Sequence, residues 1–360
     1  MQPHSHFRLL IVRLGAMGDI LHALPAVTAL RQAHPDWTID WIVEPRWRAL
    51  LTADGSRDGE RNSAQPLIDR LHFAATKEWR KAPFSTQTRA EFTALRAALR
   101  AGEYDAVLDL QGAIRSALLA RLTGCRRLIG EAEPRERAAS WLFTERVATR
   151  GAHVIEQDME LASAVAGDDL KLPAPLLPVD QAAEAWVDGI LPASLHTPVI
   201  LINPGAGWGA KRWPAERYAA VAQELIARGC RVLVNAGPGE ERLAEPVVRQ
   251  TSGAATALTC SLAQLIALTR RISLAIAGDT GPLHLACALG RPVVGIYGPT
   301  DPSRNGPFGS RFTVLRSPQS SRDHSRREAT EAGLLTIQPE EVLRAAGALL
   351  YPETAPQSAR

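Results

Sequence analysis

Residues Phe7 to Ala33, FRLLIVRLGAMGDILHALPAVTALRQA, decide the fold. The opening FRLLIVRL is a short, nearly continuous apolar run and reads as a buried strand, while Gly15 to Gly18 supplies a tight turn. From Ile20 to Ala33 the apolar positions Leu21, Leu24, Val27 and Leu30 recur at helical spacing. Strand, glycine turn and helix make the first half of a βαβ unit. Working outward, Thr38 to Val43, Leu67 to Phe73 and Ala106 to Leu110 read as further strands, with helices over Arg89 to Ala101 and Ile114 to Leu122. Such alternation predicts a parallel sheet with right-handed crossovers.

The pattern stops and restarts. Between Gly167 and Pro198 lie Asp168, Asp169, Pro173, Pro175, Pro178 and Pro192, a linker composition with room for one short helix near Asp180 to Asp188. Strands then follow at Val199 to Asn203, Arg231 to Asn235, Ile272 to Ala277 and Val293 to Tyr297, with helices at Ala215 to Ala227, Glu240 to Gln250 and Pro282 to Leu289. The expected organisation is an N-terminal Rossmann-like domain over 1–170, a linker over 171–197, a second Rossmann-like domain over 198–335 and a terminal helix over 336–350. Ligands of open α/β sheets bind beyond the carboxyl ends of the strands, so the loops there, in a cleft between two such domains, are where chemistry is expected.

Composition narrows the class. Of 360 residues, 46% are hydrophobic and 22% charged, which excludes a disordered tail and a fibrous chain. No apolar run reaches 18 residues, and the N-terminus lacks a basic flank before an apolar core, so a cytoplasmic chain is expected, with a hold on a membrane surface left open. Cys125, Cys230, Cys260 and Cys287 form no CxxC pair and read as reduced core residues. The net charge of +3 is too small to point to nucleic acid, yet residues 1–150 hold 22 basic against 17 acidic side chains. Arg115, Arg121, Arg126, Arg127, Arg135 and Arg137 cluster in that half, where they would suit phosphates or carboxylates, although 37 of the 41 basic residues are Arg and composition alone produces such clusters.

Three loops carry candidate chemistry. GAMGD puts Asp19 at a helix start, as a helix cap or as a general base aimed into the cleft, with His22 one turn on. NPGAGWGAKRWP (Asn203 to Pro214) lacks the dinucleotide fingerprint and reads as an anion-binding loop ending in Lys211, one of only four lysines, and Arg212. IAGDTGPLHLACALG (Ile276 to Gly290) has Asp279 or Thr280 capping a helix whose N–H groups at Gly281 to His284 would receive a phosphate. No Asp-x-Asp pair occurs, so no metal or other cofactor is expected.

RLGAMGDILHALPAVTALRQAHPDWTIDWIVEP, YDAVLDLQGAIRSALLARL, INPGAGWGAKRWP and GDTGPLHLACALGRPVVGIYGPTDPSRNGPFG together resemble the ADP-heptose:lipopolysaccharide heptosyltransferases, glycosyltransferase family 9. The resemblance runs in order from about Phe7 to Gly309 and implies an α/β GT-B fold, two Rossmann-like domains facing across a cleft. It implies a metal-independent, inverting transferase with ADP-heptose as donor and Kdo-bearing lipid A as acceptor, working at the cytoplasmic face of the inner membrane. Residue by residue, the family's base matches Asp19, its diphosphate-binding lysine Lys211, and its donor loop Asp279, Thr280, Gly281 and His284. A nucleotide-side glutamate falls at Glu241, or at Glu240 if the loop slips by one, and Cys260 stands near the adenine. The terminal helix is expected to cross back to the first domain. DLQG (Asp109 to Gly112) followed by Arg115 and Ser116 is closer to the first-heptose enzymes, whereas EAEPRERAAS (Glu131 to Ser140), which holds Arg135 and Arg137, matches their acceptor pattern loosely. The competing readings are another GT-B nucleotide-sugar transferase or epimerase, and a non-catalytic nucleotide-sugar binding protein.

Overall fold

The computed structural model describes residues 6–192, 194, 196–237, 239–320, 322 and 327–351. Two compact units divide between Asp180 and Gln181, inside the proline-rich stretch expected to be the linker.

The first unit contains β1 (Arg8–Val12), α1 (Met17–Ala33), β2 (Thr38–Val43), β3 (Arg70–Phe73), α2 (Thr76–Lys81) and α3 (Thr86–Ala101). It continues with β4 (Ala106–Asp109), α4 (Ile114–Arg121), β5 (Leu128–Glu131), β6 (Glu145–Val147) and α5 (Val154–Ala166). Its six strands are all parallel in the order β3-β2-β1-β4-β5-β6. Leu9 to Val12 are wholly buried in the middle of this sheet, which explains why FRLLIVRL shows no alternation. Helix α1 starts three residues before the expected Ile20, because the Asp19 carboxylate accepts the Ala16 N–H and so satisfies a donor of the first turn. Likewise α3 starts at Thr86, capped by the Ser85 hydroxyl on the Thr88 N–H.

The second unit holds α6 (Gln181–Ile190), β7 (Val199–Asn203), α7 (Ala215–Ala227), β8 (Arg231–Asn235), α8 (Glu241–Gln250) and β9 (Thr256–Leu258). After these come α9 (Leu262–Thr269), β10 (Leu274–Gly278), α10 (Gly281–Ala288), β11 (Val293–Tyr297), α11 (Pro302–Asn305), β12 (Phe312–Arg316) and α12 (Pro339–Leu350). Its sheet repeats the topology of the first, all parallel in the order β12-β11-β10-β7-β8-β9. The linker helix α6 belongs to this unit: it packs on α9, and Glu184 accepts from Arg270 at 2.8 Å and Arg271 at 2.9 Å. The terminal helix α12, expected to reach toward the first domain, packs on α7 and the sheet of the second unit, where Val342, Ala346 and Leu349 join the core with Ile200, Tyr218 and Val294. The tail beyond Tyr351 lies outside the described residues.

In each unit the chain runs outward from its first strand, then returns to that strand's other side: β4 beside β1, and β10 beside β7. That reversal opens a crevice at the carboxyl ends of β1 and β4, and of β7 and β10. No helix of the described residues is long and apolar enough to cross a membrane.

Candidate active site

At the first reversal, Asp19 occupies the third position of α1. Its Oδ2 accepts the Ala16 N–H at 3.0 Å, and the carboxylate sits favourably at the positive end of the helix. The side chain remains 34% exposed, so capping leaves Oδ1 open to solvent-side chemistry. Arg13, directly after β1, donates from Nε to the Asp19 carbonyl at 3.0 Å, and its Nη2 stands 3.9 Å from Asp19 Oδ1. Gly15 lets the turn close: at φ +151° a Cβ there would come within 2.6 Å of the Trp47 indole nitrogen. His22 is buried one turn into α1 with its ring edge-on to His153, 5.5 Å between centroids.

The neighbouring loop after β4 is locked to this one. Gln111 accepts the Leu14 N–H through Oε1 at 3.1 Å, and Asp109 Oδ1 accepts the Gln111 and Gly112 N–H groups at 2.8 Å each. Burial pushes the Asp109 carboxyl up to about 6, against those hydrogen bonds and the Arg13 charge. Gly112, at φ +64°, has the backbone of Arg135 and the ring of Pro134 3.2 Å from where a Cβ would stand. This close approach brings the loop after β5 against the loop after β4, tied by the Glu136 N–H to the Gly112 carbonyl and the Ile114 N–H to Glu136 Oε2, both 2.9 Å. Arg135 and Arg137 are exposed on that loop, and Arg115 is exposed on the first turn of α4 with Nη1 3.4 Å from Thr76 Oγ1. The three candidate arginines therefore share the carboxyl edge of one sheet.

At the second reversal the chemistry is tighter. Lys211 ends the turn Gly209–Lys211 after β7, and its ammonium pairs with Asp279 Oδ2 while lying 4.1 Å from the centre of the Trp208 ring. The other oxygen, Asp279 Oδ1, accepts from His284 Nε2 at 3.2 Å. Burial raises the Asp279 carboxyl, but the His284 hydrogen bond and charge, with Lys211, outweigh it and hold the group well below the ordinary carboxylate range. Asp279 is thus an ionised anchor for Lys211 and His284 rather than a helix cap. Thr280 takes the cap position, yet its Oγ1 turns back to the Gly278 carbonyl at 3.2 Å. Its carbonyl already accepts the Leu283 and His284 N–H groups, which leaves Gly281 as the donor expected at this helix end that an anion can use.

Of the two glutamates, Glu240 is the one that meets the loop after β7. It is half-buried, and a Cβ on Gly205 would stand 2.1 Å from its Oε2. Burial raises the Glu240 carboxyl, partly offset by Arg212 and the Ala206 N–H. Glu241 is exposed and accepts the Gly239 N–H at 3.0 Å, which lowers its carboxyl. Cys260, between β9 and α9 at the same sheet edge, is partly buried and its thiol is pushed up to about 11. A buried amide pair shapes the loop: Asn235 donates to Asn203 Oδ1 at 2.7 Å, and Asn203 donates to the Gly205 carbonyl at 3.3 Å. Sequence reasoning passed over both asparagines, though each ends an otherwise apolar strand, VILIN and RVLVN, and a polar residue there is a readable signal. It also passed over Arg13 and Glu240's advantage over Glu241, which depend on contacts with other loops.

The model of glycosyltransferase family 9 (heptosyltransferase) matches residues 92–335. The chain belongs to that family. It is 31% identical to lipopolysaccharide heptosyltransferase 1 of Escherichia coli strain K12 over 324 residues, 87% of this chain and 95% of that protein. Lipopolysaccharide heptosyltransferase 2 of the same strain is 26% identical over 367 residues, 97% of this chain and all of that protein. Among solved structures, the E. coli heptosyltransferase WaaC with ADP matches with a TM-score of 0.77 at 28% identity, covering 95% of this chain and 100% of that one. The two all-parallel sheets are accordingly Rossmann-like domains of the GT-B type, as expected from the sequence, and the chain is a glycosyltransferase of lipopolysaccharide core synthesis.

Proposed function

We propose that the chain moves heptose from ADP-L-glycero-β-D-manno-heptose to a Kdo sugar of lipid A, adding the first heptose of the inner core with inversion and without a metal. The observation that carries the reading is the Lys211–Asp279–His284 cluster at the second sheet's reversal, which holds a lysine ready at the place where such sheets hold phosphate. The solved E. coli WaaC with ADP-2-deoxy-2-fluoro heptose, 28% identical with a TM-score of 0.73, supports the donor. Higher identity to heptosyltransferase 1 than to heptosyltransferase 2 supports first-heptose transfer.

In this mechanism Asp19 Oδ1 takes the proton of the acceptor hydroxyl as that oxygen attacks C1 of the heptose. The C1–oxygen bond to the β-phosphate breaks, the electron pair leaves with ADP, and the new bond forms on the opposite face. Lys211 and the Gly281 N–H take up the charge developing on the leaving diphosphate. Asp279 orients Lys211, Glu240 meets the ribose side of the nucleotide, and Cys260 lies toward the adenine. Arg115, Arg135 and Arg137 face the acceptor's anionic groups. A place at the cytoplasmic face of the inner membrane is supported by the lipid nature of the acceptor and by Phe84 and Trp141, 82% and 77% exposed in the more basic half of the chain.

A donor and acceptor panel with mass detection tests the proposal. ADP release that requires both ADP-heptose and Kdo-bearing lipid A, with a product heavier by one heptose, is expected. ADP-heptose binding without any release would leave a binding protein, and transfer from another nucleotide sugar a different transferase.

A further inference from the structure

Arg13 is the cation that the described fold buries without fully using. It is 5% exposed, yet of its five N–H donors only Nε–H makes a hydrogen bond, to the Asp19 carbonyl. Among the described residues nothing accepts a hydrogen bond from either Nη nitrogen, and Asp19 Oδ1 at 3.9 Å is an ion-pair neighbour beyond hydrogen-bond reach. The side chain is otherwise buried, and its unbonded Nη nitrogens keep a little contact with solvent, so a ligand can reach them. Its surroundings also hold it still. The Arg13 carbonyl accepts the Trp41 indole N–H at 2.9 Å, and the next residue's N–H is bound by Gln111. The backbone is therefore fixed at the first sheet's reversal, and the Nε hydrogen bond to the Asp19 carbonyl keeps the guanidinium beside the carboxylate that faces the reacting hydroxyl.

We propose that the Nη edge of Arg13 receives the carboxylate of the acceptor's sugar acid, next to the hydroxyl that Asp19 deprotonates, and so selects an acidic acceptor. This rests on Asp19 being the base. A planar fork of donors matches a carboxylate in two-point contact, and a guanidinium that is largely shielded from water makes that contact discriminating. Arg115, Arg135 and Arg137 differ in being exposed, where water competes for every donor. Phosphate of the donor is the other anion that a guanidinium takes, and the nucleotide arm of the experiment separates the two.

The test pairs a change in the acceptor with a change in the enzyme. Wild type, Arg13→Lys and Arg13→Gln are assayed with a Kdo-bearing lipid A analogue and with the same analogue carrying a neutral carboxamide in place of the Kdo carboxylate. Wild type should lose roughly 10- to 100-fold in acceptor kcat/KM on the amide, and Arg13→Gln a similar factor on the carboxylate. The two losses should not multiply: Arg13→Gln should treat both acceptors alike within about threefold. Arg13→Lys should regain part of the preference for the carboxylate, and ADP affinity should stay at the wild-type level in all three. Losses that multiply would make Arg13 only a strut for the first turn of α1, and weakened ADP binding would assign it to the donor phosphate. Either result overturns the proposal. Wild type alone suffices if the variants fold poorly, because indifference to the amide also overturns it. Calorimetric binding of both acceptors to the donor-free chain keeps the question separate from turnover: tighter binding of the carboxylate form by wild type, lost in Arg13→Gln, with no ADP release would sink the transferase reading and keep Arg13 as the partner of the carboxylate.

Discussion

The two sheet reversals are built from the same topology and hold opposite electrostatic states. In the second unit, Asp279 is the counter-ion of Lys211 and a hydrogen-bond partner of His284, and both of its oxygens are engaged. In the first, Asp19 is one-third exposed with Oδ1 unengaged in hydrogen bonding, Arg13 is largely buried with its Nη donors unbonded, and burial raises the neighbouring Asp109 carboxyl to about 6. In the proposed roles, a seat for a leaving diphosphate must offer positive charge without collapsing when empty, and Asp279 supplies the counter-ion that keeps Lys211 in place. A seat for a proton transfer must keep a base uncommitted. The difference therefore separates stabilising charge from moving a proton, and substitutions should expose it.

The largest effect is expected at Asp19, the proposed base. Asp19→Asn retains an oxygen for the Ala16 N–H, so the helix start and the melting temperature should change little, whereas transfer should fall by about 10² to 10⁴. ADP affinity, assigned by the proposal to the second unit's loops, should stay near wild type. A folded, ADP-binding Asp19→Asn enzyme turning over within about threefold of wild type would show that capping is all Asp19 does, and would erase the contrast between the two reversals.

Much of this contrast was open to a reader of the sequence, and the missing part has physical causes. The central strands β1, β4, β7, β10 and β11 are buried on both faces, so their apolar runs announce them. The edge strands β6 and β9 have three residues each, half exposed, and carry too little pattern to be seen. Lys211 and Asp279 were each singled out, but their pairing bridges 68 residues and exists because β7 and β10 are neighbours in the sheet, which spacing does not reveal. Arg13 was hidden by composition, since one more arginine in an arginine-rich chain attracts no notice until its burial is known.

Next in size is Lys211→Ala. Losing a charge-assisted contact to the diphosphate should weaken ADP by about 1.5 to 3 kcal/mol, or roughly 10- to 150-fold, and slow transfer in step. The substitution also leaves Asp279 with one cation fewer, so thermal melting must accompany the titration. Unchanged ADP affinity in a folded variant would remove Lys211 from the donor seat and leave its pairing with Asp279 purely structural.

The pH dependence of stability should take opposite signs at the two reversals. Asp109 titrates near 6 in the folded chain and near 4 when unfolded, so between those values the folded state binds more protons and loses stability as pH rises. The loss is complete above about pH 6 and amounts to about 2 to 3 kcal/mol. Asp279, held below the ordinary range, contributes stability above about pH 4 that disappears only on further acidification. Denaturation of wild type and Asp109→Asn, which keeps an acceptor for the Gln111 and Gly112 N–H groups, should show the variant gaining relative stability from pH 4 to pH 7. Curves that stay parallel over that range would mean that Asp109 remains ionised throughout.

The smallest expected effect separates function from composition in the exposed arginines. Arg115, Arg135 and Arg137 lie at the solvent face of the first unit's carboxyl edge, whereas the Lys211 side chain is 10% exposed. Salt shortens the reach of charges in water, from about 10 Å at 0.1 M to about 3 Å at 1 M, and acts far less on buried pairs. If the three arginines draw the acceptor's phosphates and carboxylates, raising potassium chloride should increase the acceptor KM several-fold and the donor KM by less than about twofold. Replacing all three with Gln should flatten the acceptor's salt dependence without altering ADP binding. Equal salt dependence for both substrates would leave those arginines as the product of a composition in which 37 of 41 basic residues are Arg, and would confine recognition of the acceptor's charge to the buried guanidinium of Arg13.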